Sequence, residues 1–141
     1  AGYCMITLPD DFHYSIYYIQ ALLNSKYLEW FSALIGEVFR GGYIARGTKV
    51  LKKLPIRIID FGNKKEKAIH DKIASIQKEL IDIQGQIDKS KGKNRKLIPL
   101  QRQFDSRKNE LDQTLNTLFN LGESDSLIPL ISKLVFESLL M

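Results

Sequence analysis

From Ser15 onward, apolar residues recur at Ile16, Ile19, Leu23, Tyr27, Trp30 and Leu34. Steps of three and four are helical spacing, and Ser15 supplies an N-cap. Asn24 and Ser25 leave open whether this stretch is one helix or two, and Gly36, Gly41 and Gly42 end it. Ahead of it, residues 3–8 form a short, partly β-branched apolar run closed by Pro9, the pattern of a strand. After the glycines, residues 43–50 are β-prone. Residues 51–59 contain Pro55, which excludes a helix interior and predicts an edge strand or extended loop.

The second half has a different period. Ile69, Ile73, Ile76, Leu80, Ile83 and Ile87 follow steps of 4, 3, 4, 3 and 4, an a/d seam sustained over about three heptads. A helix over 64–88 would be about 37 Å long. A polar Gly-containing loop follows. Pro99 suits the first turn of a second helix, in which Leu97, Leu100, Phe104, Leu111, Leu115 and Leu118 resume the seam, broken at Arg107 and Lys108. Two such helices joined by a short polar loop predict an antiparallel hairpin. Residues 124–141 read as a short terminal helix. The expected fold class is α+β and helix-dominated: a small partial sheet with a helix pair, then a long antiparallel, coiled-coil helical hairpin. The expected divisions are 1–62, 63–123 and 124–141.

A chain of 141 residues, 44% apolar and 26% charged, is the size of one folded domain, at most with an arm. Charge changes the picture more. The net charge is +5 and the pI about 9.3, leaning toward a polyanionic partner. Residues 1–62 carry +2, residues 63–96 carry +5 and residues 97–141 carry −2. The densest stretch is 89–96, with five basic residues and no acid. As a hairpin tip it is solvent-exposed, and its lysines would serve solubility. A single cysteine, Cys4, excludes an internal disulfide framework, and His13 and His70 are too far apart in sequence for a zinc cluster. No apolar run approaches a membrane span and no secretory leader opens the chain, so a cytoplasmic location without membrane attachment is expected. The chain starts with Ala, as a processed product or a piece of a longer protein would.

No Gly-rich phosphate loop, nucleophile elbow or metal-ligand spacing is found, so the chain is expected to be no enzyme and to need no cofactor or metal. Asp10 and Asp11 read as turn residues, Cys4 as a buried small side chain, and His70 as a solvated or flanking residue beside the seam. The informative stretch is 40–49. It sets Arg40, Arg46, Lys49 and Tyr43 among Gly41, Gly42 and Gly47, with Lys52 and Lys53 just beyond. Glycines allow close backbone approach, arginine can bond guanine edges bidentately, lysine neutralises phosphate and tyrosine stacks. The candidate DNA-binding residues are Arg40, Gly42, Tyr43, Arg46, Lys49, Lys52 and Lys53. The plain alternative is an ordinary basic surface hairpin.

The helix junction Leu23-Asn24-Ser25-Lys26, the turn Gly41-Gly42-Tyr43, and Leu54-Pro55-Ile56 leading into a long helix together resemble the distal part of a target recognition domain. Such domains occur in type I restriction–modification specificity subunits and as the TaqI-like C-terminal specificity domain of fused type II restriction–methylation enzymes and N6-adenine DNA methyltransferases. The resemblance covers about residues 3–123, and residues 110–121 are similar to the helix that closes these domains. Asn116 stands where the family usually has an aromatic. The resemblance implies the C-terminal part of a larger DNA adenine methyltransferase or restriction protein, with sequence-specific recognition of double-stranded DNA. It also implies a spacer hairpin that docks the methyltransferase or restriction portion. The other reading is a structural assembly module. In that case the seam would join partner subunits or a second copy of the chain, and DNA affinity would be incidental. The two differ in whether the seam isoleucines are consumed within the hairpin.

Overall fold

The structure, a computed structural model, describes residues 7–36, 50, 52–90 and 94–119. Its helices are α1 (Ile16–Leu23), α2 (Lys26–Ile35), α3 (Lys64–Lys89) and α4 (Asn94–Leu118). Ser15 caps α1, its Oγ accepting from the Tyr17 N–H at 3.2 Å. The open question of one helix or two resolves into two. Ser25 is extended (ψ 150°), its Oγ donates to the Leu22 carbonyl at 2.6 Å and accepts from the Leu28 N–H at 3.3 Å. One hydroxyl thereby closes α1 and opens α2. Gly36 ends α2, its N–H reaching the Ser32 carbonyl.

Helices α3 and α4 pack antiparallel. Lys72 pairs with Glu110 at 3.2 Å and Glu79 with Arg107 at 2.8 Å, so residue numbers rise along one helix as they fall along the other. The seam positions Ile73, Ile76, Leu80, Ile83 and Ile87 are buried, as are Leu111, Leu115 and Leu118 opposite. Helix α1 lies against α3 and closes the core with Tyr18, Ile19, Ala21 and Leu22. Arg107 and Lys108, which interrupt the seam in the sequence, stay half-exposed at its edge in ion pairs with Glu79, Glu110 and Asp112. Helix α4 begins at Asn94, so Pro99 falls inside the helix rather than in its first turn. With no N–H, Pro99 leaves the Arg95 carbonyl without its helical partner.

The α+β expectation is overturned: no strand exists among the described residues. Residues 43–49 and the first part of the 3–8 run lie outside them, as does the terminal helix expected over 124–141. Residues 7–9 and 54–60 are described and pair with no neighbouring chain. The reason is visible in 54–60. The Arg57 carbonyl accepts from the Tyr18 hydroxyl at 2.8 Å, and the Ile59 N–H donates to the Tyr14 hydroxyl at 3.0 Å. Backbone groups that a sheet would satisfy are bonded by tyrosine side chains. The segment is an extended strap laid on the helices, not an edge strand.

Candidate nucleic-acid interface

Of the candidate DNA-binding residues, Arg40, Gly42, Tyr43, Arg46 and Lys49 lie outside the described residues. Lys52 and Lys53 are described and exposed, on a turn whose Lys53 N–H reaches the Val50 carbonyl at 3.0 Å. On either side of the pair, Val50 and Leu54 are buried against Phe31 of α2, with Leu23, Trp30 and Ile35 around them. Anchored apolar residues on both sides force the two intervening lysines outward. Pro55 is buried and Ile56 packs on the main core, so the strap carries this basic turn on a fixed mount.

The strap ends at a cluster that sequence reasoning missed. His70, expected to be solvated or flanking, is 4% exposed. Its ring lies 4.7 Å from Tyr18, 5.0 Å from Phe61 and 5.9 Å from Tyr14, centroid to centroid. Its Nε2 accepts from the Ser15 N–H at 3.1 Å. An Nε2 that accepts leaves the proton on Nδ1, 2.9 Å from the Asp71 carboxylate. Both nitrogens are thus engaged, and the ring pins the start of α1 to α3. The available signal was the aromatic density of residues 12–18, with Phe12, His13, Tyr14, Tyr17 and Tyr18 in seven positions, too many for a solvated turn.

Hydrogen bonds first from Lys67 and then from His70 hold the Asp71 carboxyl below its ordinary range. Glu110 is lowered likewise, by Arg107 and then Lys72. Burial, with Tyr14 nearby, pushes the Tyr18 hydroxyl well up, as suits a phenol that stays protonated to donate to the strap. At the turn into α3, Asn63 Oδ1 accepts from the Lys65 N–H at 3.0 Å. Glu66 reaches back to the Asp60 N–H at 2.8 Å, and Asp60 accepts from the Gly62 N–H at 2.9 Å. A Cβ at Gly62 would sit 3.1 Å from that Asp60 oxygen, so glycine keeps the turn tight. Asn116, in place of the expected aromatic, buries its Oδ1 without a hydrogen-bond partner.

Among the described residues no group of three or more His, Cys, Asp or Glu could hold a metal ion. No described helix is long and apolar enough to cross a membrane. Together these features define a helical scaffold that displays a basic turn.

Sequence similarity relates this chain to a segment of a restriction–modification enzyme. The relative is "Type II restriction enzyme and methyltransferase RM.Eco57I" of Escherichia coli, 47% identical over 134 residues, or 95% of this chain. The chain spans 13% of that protein's length. No family model matches the chain, and no solved structure does.

Proposed function

We propose that this chain is a sequence-specific DNA recognition module of a restriction–modification enzyme and performs no chemistry itself. The observation that carries the reading is the 47% identity, over 95% of the chain, to a protein named for both restriction and methylation. In this reading residues 1–62 are the distal part of the recognition domain, 63–123 the spacer hairpin and 124–141 its terminal helix. The partners are double-stranded DNA and the methyltransferase or restriction portion of the same protein or complex. Arg40, Gly42, Tyr43, Arg46 and Lys49 approach the bases, and Lys52 and Lys53 meet phosphates. The anchored, outward-facing Lys52–Lys53 turn is consistent with the phosphate role.

The assembly reading needs an unpartnered seam. Ile73, Ile76, Ile83 and Ile87 are each 7% exposed or less, Ile73 and Ile76 in the core shared with α4 and α1, and Ile69 is half-buried. The burial of most seam isoleucines within the chain supports the recognition reading over the assembly one.

The test is titration of the intact protein against duplexes carrying the specific site and against scrambled ones, at several salt concentrations. Arg46→Ala should cost about 1–3 kcal/mol on the specific duplex and little on the scrambled one. Replacing Lys52 and Lys53 with Ala should weaken both and lower the salt slope by up to about two units. Equal affinity of the unaltered protein for both duplexes would end the recognition reading.

A further inference from the structure

Half of the cations on the shaft of the hairpin are paired with acids, and those at its tip converge on one cleft. On the shaft, Lys67 pairs with Asp71, Lys72 with Glu110, Arg107 with Glu79 and Glu110, and Lys108 with Asp112, while Lys78 lies over the Tyr17 ring and Lys64, Lys65 and Arg102 take part in no ion pair among the described residues. At the tip, Lys89, Arg95 and Lys96 are exposed and take part in no ion pair among the described residues. They line one open cleft of about 470 Å³ with Ser90 and Pro99, where α3 ends and α4 begins. The first turn of α4 holds Arg95 and Lys96 and no acid, the reverse of the charge a helix start favours. Three like charges therefore converge on one concave surface with no acid among its described lining residues, a cost that a polyanion would relieve.

We propose that the cleft at the hairpin tip grips the phosphate backbone of duplex DNA, independently of its sequence. The proposal rests on the reading of the protein as DNA-binding, and it adds a contact at the end of α3 away from the Lys52–Lys53 turn. That turn packs by Leu23 and Phe31, and the strap runs from it back along α1, past Tyr18 and Tyr14, before α3 begins. Lysine and arginine at the tip neutralise phosphates and release counterions, which raises affinity for every sequence alike.

The experiment uses the intact protein with Lys89, Arg95 and Lys96 all replaced by Ala. It is titrated against specific and scrambled duplexes of about 40 base pairs, long enough to pass the whole shaft. A circular-dichroism melt verifies that these exposed substitutions leave the fold intact. Affinity should fall about tenfold or more on both duplexes at low salt, with the salt slope lower by about two to three units. The ratio between the two duplexes should stay the same. A variant with Lys89→Arg and Lys96→Arg should bind like the unaltered protein. An unchanged slope and affinity in the folded Ala variant would overturn the proposal, even if the variant lost association with an acidic protein surface. A loss confined to the specific duplex would overturn it too, by making these residues base readers. If the unaltered protein binds both duplexes equally but the slope still falls, the tip contact stands and the recognition reading fails. Normal discrimination with an unchanged slope sinks the tip contact alone.

Discussion

The base of the molecule and the shaft of its hairpin bury their residues by different means. The shaft relies on repetition: aliphatic residues from α3 meet those of α4 and α1, and half-exposed ion pairs flank them. Its geometry follows from period alone, and each seam residue resembles its neighbour. The base relies on particular polar contacts. Tyr14, Tyr18 and His70 each join a ring in the aromatic cluster to one backbone group, on Ile59, Arg57 and Ser15. The shaft should therefore answer to loss of hydrophobicity. The base should answer to loss of single hydrogen bonds, even where shape is kept.

The largest expected effect lies in the shaft. Ile76 is 3% exposed at mid-seam, and Ile76→Asp would bury an unpaired carboxylate as well as delete apolar volume. A cost of about 4 kcal/mol or more is expected, a large share of a small domain's stability. Circular dichroism should show lost helix and a collapsed melting transition. An unchanged melt would show that the seam does not hold the hairpin together.

His70→Ala tests the base. It leaves the Ser15 N–H without its acceptor and opens a hole among Tyr14, Tyr18 and Phe61. About 2–4 kcal/mol is expected, read by chemical denaturation. Tyr18→Phe is the sharper comparison, because it keeps the ring and removes only the hydroxyl that holds the Arg57 carbonyl. The expected loss is about 1–2 kcal/mol, with faster amide exchange along 54–60 as the specific sign. No loss at all would reduce the strap's anchoring to apolar packing of Leu54, Pro55, Ile56 and Ile59.

The smallest effect is that of pH. Asp71 and Glu110 have carboxyl pKa values lowered by folding, chiefly through hydrogen bonds from Lys67 and Arg107. Their contribution is complete above the ordinary carboxylate range and is lost as pH falls through the lower folded values. Stability should decline modestly below about pH 4, and Asp71→Asn with Glu110→Gln should flatten that limb in an acid melt series. Tyr18 has the opposite sign. Its raised pKa leaves stability intact below about pH 10, with loss beginning as pH rises beyond it. Tyr18→Phe should remove that alkaline limb.

The sequence alone determined whatever depends on period and composition. The seam of isoleucines and leucines, the break at Arg107 and Lys108, the serine caps and the concentration of positive charge near residues 89–96 are local properties. A helix of the right period has few ways to bury such a stripe. Tertiary structure decided what depends on long-range partners. The stretch 54–59 carries the composition of a strand, yet its backbone found tyrosine hydroxyls from residues 14 and 18, some 40 positions earlier. His70 looked like a flank residue until Ser15, 55 positions away, supplied its donor. Which cations find a counter-charge was equally illegible, because the acids that pair with Lys72, Arg107 and Lys108 come from the opposite helix as well as the same one. Periodicity is written in neighbouring residues. Hydrogen-bond satisfaction and charge pairing are written only in the folded chain, because each needs a partner that sequence order does not name.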